Sequence, residues 1–168
     1  LIWYFPSIGP KGEIDIKENA KDMDEIDRTI LKHLRDNSRM SLQEMSRLTG
    51  ISDSTLQFRL KRLRAKEIIE KFTIMASPAA TGYAVTAMVL VQTDTERHDE
   101  AKMALAKIPE ITEVYGILGE HDLLVKVWCK SLEELNRMIN GEIRSVEGVK
   151  ELLEMLVMER VKEETPPV

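Results

Sequence analysis

From Met23 onward the apolar positions follow two successive periods. Met23, Ile26, Ile30, Leu31 and Leu34 recur at three- and four-residue spacing, which predicts an amphipathic helix. Asp22, Asp24, Glu25 and Asp27 crowd its start, where the helix dipole favours negative charge, and Asp36-Asn37-Ser38-Arg39 ends it. Ser41-Leu42-Gln43-Glu44 reads as a capping box opening a second helix that buries Leu42, Met45 and Leu48. Thr49-Gly50-Ile51 is a tight connection, with Gly50 free to take positive φ. Ser52 then caps a third helix, Asp53 to about Lys66, with Leu56, Leu60 and Leu63 inward. Three short helices with a glycine turn before the last outline a helix-turn-helix.

The period then changes. Ile68 to Met75 is expected as a short strand or hairpin arm, and the small-residue run Ala76 to Gly82 as a hinge. Ala84 to Thr93 is an almost uncharged, β-rich run that predicts a buried strand. A helix over Glu96–Lys107 follows, then strands over Ile111–Leu118 and Leu123–Cys129 joined by Gly119-Glu120-His121-Asp122. A second helix over Ser131 to about Arg144 and a long strand over Val149–Val161 complete the pattern. The order β-α-β-β-α-β is the ferredoxin-like arrangement. The fold class is therefore α+β: a winged-helix-like, three-helix unit over residues 21–72, a linker over 73–82 and a ferredoxin-like domain over 83–168. Residues 1–20 show no sustained period. They read either as a flexible extension or as an aromatic tip, Trp3-Tyr4-Phe5, that docks on a partner subunit.

Alternation in the strands implies a partner. Thr86, Met88, Leu90 and Gln92 oppose Val85, Ala87, Val89 and Val91, while Leu153, Met155, Val157 and Val161 oppose Leu152, Leu156 and Met158. Two helices cover only one face of a four-stranded sheet, so the other face is expected to pack on a second copy of the chain.

Charge adds a division of labour. The net charge of −5 argues against a nucleic-acid partner only when averaged over the chain. Residues 21–71 hold 12 basic and nine acidic groups, net +3, whereas residues 72–168 hold 10 basic and 17 acidic groups, net −7. The third helix is the most basic element: Arg59, Lys61, Arg62, Arg64 and Lys66 against Asp53 alone. Its start carries Ser52, Ser54, Thr55 and Gln57, short groups suited to base edges in a major groove. Gln57 suits adenine, Phe58 a thymine methyl, Lys61 a phosphate, and Arg62 a guanine or a phosphate. Arg59 borders the Leu56/Leu60 face, so an ion pair with an acid of the first helix fits it as well as a phosphate does.

Other chemistry is sparse. One cysteine, Cys129, excludes an internal disulfide. Three scattered histidines (His33, His98, His121) do not suggest a closed zinc site, and no metal or cofactor is expected. No apolar stretch approaches the ~20 residues of a membrane-spanning helix. The apolar start lacks a basic leader and is interrupted by Pro6, so a cytoplasmic protein is expected. No carboxylate pair or Ser/His/Asp order points to catalysis, and no catalytic residue is assigned.

The stretch Met23 to Leu31 resembles the opening of the Lrp/AsnC (feast/famine) transcription regulators, as does Gly50-Ile51-Ser52 followed by Leu56, Arg59, Leu60 and Leu63. The second half is similar to that family's ligand-sensing (RAM) domain: Val114-Tyr115, then Gly119-Glu120-His121-Asp122, a Leu-Val-Lys-Val strand and a Leu-Glu-Glu-Leu helix start. The resemblance runs from about residue 23 to 163 and implies a double-stranded DNA partner and a dimer built through the sheets, assembled in some members to tetramers or octamers. It also implies control by an amino acid or related metabolite near the loop of Gly119, Glu120, His121 and Asp122. A tight turn with solvated Glu120 and Asp122 is the other reading of that loop. The chain departs from the family twice. Glu67 stands where a glycine usually ends the recognition helix, so the stop must be made otherwise or the helix runs on. Leu152-Leu153-Glu154 replaces a Thr/Ser-rich segment that helps to hold the effector, so Leu152 and Glu154 are expected to alter the ligand or abolish its site. A weakly specific architectural DNA-binding protein without an effector is therefore the alternative, and an enzyme like the tetrapyrrole decarboxylases that share the fold is a remote one.

Overall fold

The computed structural model describes residues 23–164, so the aromatic N-terminal segment lies outside the described residues. The chain divides into two compact units, with the break between Ile74 and Met75.

The first unit is three helices: α1 (Glu25–Asp36), α2 (Leu42–Thr49) and α3 (Asp53–Ala65). Each starts on a side-chain cap; those of α2 and α3 are the serines read from the sequence, and that of α1 is one of the acids crowding its start. Asp24 and Asp27 form a reciprocal capping box on α1, the Asp24 carboxylate accepting the Asp27 amide at 3.1 Å. Ser41 and Ser52 accept the Glu44 and Thr55 amides. Gly50 ends α2 at φ +73°, the left-handed conformation that lets the chain turn at once into α3. Ile30, Met45, Leu56 and Leu63 form the buried centre, with Ile26, Leu34, Leu42, Leu60 and Ile68 packed against it.

The end of α3 answers the question posed by Glu67. The helix does not run on: it stops at Ala65, and Glu67 itself takes the left-handed conformation at φ +56°. The Ile68 amide donates to the Leu63 carbonyl at 2.9 Å and the Glu67 amide to the Arg64 carbonyl at 3.1 Å. This is the Schellman pattern, and Ile68 also packs on the cluster containing Leu63. That apolar contact imposes the stop despite the steric cost of a side chain at positive φ. The strand expected over Ile68–Met75 is absent: these residues make no ladder, and Phe72, Ile74 and Met75 are exposed.

The second unit is β1 (Val85–Thr93), α4 (His98–Leu105), β2 (Ile111–Gly116), β3 (Leu123–Cys129), α5 (Leu132–Met138) and β4 (Val149–Leu156). The four strands form one antiparallel sheet ordered β2-β3-β1-β4, the ferredoxin-like topology. Ala87, Val89 and Val91 of β1, with Leu123, Val125 and Val127 of β3, bury one face beneath Leu105, Leu135, Met138 and Ile143. The second long helix is shorter than its apolar spacing predicts. Regular α-helix ends at Met138, and Ile139–Ile143 is a wider π-turn that keeps Ile139 and Ile143 in the core. The last strand also stops early, at Leu156, so Met158 and Val161 are exposed outside the sheet. Gly148 (φ +94°) leads into β4 against the residue before α4; a Cβ there would lie 2.8 Å from that of Arg97.

Glu67→Gly is expected to raise unfolding free energy by about 0.5–1 kcal/mol in urea denaturation, because glycine takes the left-handed conformation without a Cβ clash.

Candidate nucleic-acid interface and effector loop

α3 buries Leu56 and Leu63 against the other two helices and turns Ser54, Gln57, Phe58 and Lys61 outward. Their spacing of three, four and seven residues puts them on one stripe. Phe58 is 66% exposed, unusual for phenylalanine on a small domain. At the N-terminus the Ser52 hydroxyl pairs with those of Thr55 (2.8 Å) and Ser54 (3.1 Å), so Ser52 and Thr55 are engaged in the cap while Gln57 and Phe58 project one turn further on.

Arg59 and Arg62 lie on the flank of α3 nearest α1. Asp27, fully buried, sits beneath them. Arg62 donates through Nη2 to its Oδ2, and Arg59 lies 3.5 Å from both its oxygens while donating to Asp24. The Asp24 amide also donates to Asp27 at 3.3 Å. The Asp27 amide, then the Arg59 guanidinium, hold the Asp24 carboxyl below its ordinary value, and the same Asp24 contact raises Arg59. Of the two fates open to Arg59 in the sequence, the geometry shows the ion pair. Arg62 makes such a pair too, which its position in the sequence did not disclose.

In the second unit the loop between β2 and β3 is closed by the Asp122 carbonyl, which accepts the Ile117 amide at 2.9 Å. The Asp122 carboxylate is also structural. It accepts the Thr93 amide at 2.7 Å and the Thr93 hydroxyl at 2.9 Å, pinning the loop to the end of β1. The Thr93 hydroxyl in turn meets His98 Nδ1 at 2.9 Å. These bonds, the Thr93 amide first, lower the Asp122 pKa. Glu120 is exposed and His121 half-buried, next to Gly119. Leu152 stands level with Val91 and Leu123, which brings β4 to the same end of the sheet, about 10 Å from the loop by strand spacing. Leu152 packs on the core and Glu154 lies 3.4 Å from Arg144. Burial pushes the Cys129 thiol to about 11, so it stays protonated and unreactive at neutral pH.

The opposite face of the sheet is open and apolar. Register puts Thr86 beside Trp128, Met88 between Lys126 and Met155, and Leu90 between Leu124 and Leu153, with Tyr115 next to Leu124. Lys126, almost buried here, lies 3.2 Å from Glu113, pairs with Glu163 and sits over the Trp128 ring.

Known proteins share both units. A winged helix-turn-helix DNA-binding family model matches residues 23–70, and the model for the Lrp/AsnC ligand binding domain matches residues 86–167. The HTH-type transcriptional regulator FL11 of Pyrococcus horikoshii is 39% identical over 143 residues, covering 85% of this chain and 94% of that protein. Among solved structures, AsnC of E. coli superposes with a TM-score of 0.81 at 24% identity, over 87% of this chain and 99% of that one. The L-Met complex of a transcriptional regulator from Neisseria meningitidis gives a TM-score of 0.80 at 23% identity, over 85% and 94%. A helix-turn-helix joined to a ferredoxin-like ligand-binding domain defines a DNA-binding transcription regulator. This chain belongs to the Lrp/AsnC family of such regulators. No described helix is long and apolar enough to cross a membrane.

Two outcomes follow from the carboxylates. Asp27→Ala leaves two guanidinium groups facing an empty buried site and is expected to cost about 3 kcal/mol in chemical denaturation. Because the Asp122 pKa is lower folded than unfolded, its stabilisation is present above the ordinary value of 3.8 and lost as pH falls through the folded value. Stability differences between the protein and Asp122→Asn, measured from about pH 7 downward, should therefore shrink below that range.

Proposed function

We propose that the chain is a sequence-specific transcription regulator that binds double-stranded DNA as a dimer and responds to an amino acid or related metabolite. The observation that carries the DNA reading is the outward stripe Ser54, Gln57, Phe58 and Lys61 on a capped, basic third helix. Gln57 is suited to adenine, Phe58 to a thymine methyl and Lys61 to a phosphate; Ser52, Thr55, Arg59 and Arg62 flank the stripe. The open face of Met88, Leu90, Leu124, Leu153 and Met155 supports dimerisation, since a monomer would leave these side chains in water. Two-fold pairing would offer reading helices to major-groove turns about 34–36 Å apart or a multiple of that. Larger assemblies, tetramer or octamer, would extend the array.

The effector reading rests on Gly119, Glu120, His121 and Asp122, with Leu152 and Glu154 nearby, and on the L-Met complex of the Neisseria relative. Two observations favour the second reading, an architectural DNA-binding protein without an effector. The Asp122 carboxylate already serves Thr93, and Glu154 lies 3.4 Å from Arg144, so an ammonium group would compete with a partner at each.

Selection of bound duplexes from a random pool is expected to return a semi-palindromic site; binding with no preference over competitor DNA would sink the specific reading. Sedimentation at micromolar concentration is expected to show a dimer or larger, and a monomer alone would refute assembly through the sheet. Calorimetry with the twenty amino acids separates the two readings: one saturable heat supports the effector, and silence throughout supports the architectural protein.

A further inference from the structure

Counting cations on α3 overstates what it can offer to DNA. Arg59 and Arg62 lie on the flank of the stripe of Ser54, Gln57, Phe58 and Lys61, and their guanidinium groups turn toward α1. Arg59 touches two carboxylates and Arg62 one, and the one they share, Asp27, has no access to solvent. A charge removed from water is retained only while its partners stay in place, so freeing either arginine for a phosphate would leave Asp27 with one guanidinium in place of two. The guanidinium is planar and forked, which makes the contact directional as well as attractive. Asp24 adds a constraint of its own: its carboxylate caps α1 and also accepts Arg59, so the start of α1 and the middle of α3 are held by one side chain.

We propose that Asp24 and Asp27 are positioning residues for DNA reading: through Arg59 and Arg62 they set the rotation of α3 about its axis and keep both arginines off the phosphates. This rests on the DNA-binding reading above and reassigns two residues within it. Phosphate neutralisation by this helix then falls to cations such as Lys61 and Arg64, which are exposed, and base reading to Gln57 and Phe58. The arrangement serves specificity. Phosphate contacts carry no sequence information, so two arginines withheld from them lower the affinity for random DNA without weakening the reading edge.

The salt dependence of binding tests this directly, because each phosphate neutralised contributes about 0.9 to the slope of log K against log salt. The full-length protein, Lys61→Gln, Arg62→Gln and Asp24→Asn are titrated onto a selected duplex and onto random duplex, with circular dichroism confirming the folded state at the assay temperature. Lys61→Gln is expected to lower the slope by about 0.9 for each protomer engaged. Arg62→Gln is expected to leave the slope unchanged while the ratio of selected to random affinity falls severalfold. Asp24→Asn retains a competent cap on a half-exposed site, so it folds; it leaves Arg59 with Asp27 alone at 3.5 Å, and this looser hold should raise the slope and lower the same ratio. A slope for Arg62→Gln that drops as for Lys61→Gln would overturn the proposal, as would an Asp24→Asn protein unchanged in both slope and ratio. If the parent protein binds both duplexes equally, the specific-reading premise has failed instead, which the first titration reveals before any variant is compared.

Discussion

A carboxylate with no access to water lies beneath α3. Asp27 is surrounded by Arg59, Arg62 and the backbone of its own helix start, and its burial is tolerable only in that company. Much of the first unit follows from satisfying it. α1 must begin where Asp24 can cap it and still meet Arg59. α3 must present its arginine flank to α1, and this turns Gln57 and Phe58 outward. An apolar residue at position 27 would pack the two helices together without specifying this rotation, since dispersion and burial are far less directional than a forked guanidinium on a carboxylate.

The second unit is organised by a different rule, the two-residue alternation of strand side chains. On β1 the row from Ala87 to Thr93 is buried with residues of α4 and α5, and the other row meets no helix among the described residues. The same alternation that builds a core thus creates a surface in need of a partner. One charged group on that face, Lys126 of β3, is kept there by Glu113, Glu163 and the Trp128 ring. The β2–β3 loop is tied to β1 by Asp122 and Thr93, so any molecule bound at that loop would press on the central strand directly.

Element positions were largely legible from the chain alone. Caps at Ser41 and Ser52, the turn at Gly50 and the order of strands and helices are local signals, and local signals survive in a sequence read in isolation. Sequence and structure part where contacts between side chains, not local propensity, decide. Ile68–Met75 has strand-like composition but finds no ladder partner among the described residues. Glu67 ends a helix because Ile68 reaches back to Leu63, a contact that propensity does not register. Regular helix gives way at Met138 to a π-turn that delivers Ile139 and Ile143 into the core, and β4 ends at Leu156, with one last bond from the Val157 amide to the Thr86 carbonyl. The candidate sites divide in the same way. Gln57, Phe58 and Lys61 stand where helical spacing puts them, whereas the engagement of Arg62 by Asp27 and of Asp122 by Thr93 spans 35 and 29 residues of sequence.

The sequence by itself therefore determined the two-part architecture, the basic third helix and the apolar rows of the sheet, because each rests on periodicity and composition within a short window. Tertiary structure decided which charges are spent inside the protein and which face outward. Arg59, Arg62, Asp122 and Glu154 look as available as any surface charge when read along the chain. Their partners come from other elements, and a charge already paired in a desolvated or half-buried site has little left to offer a ligand.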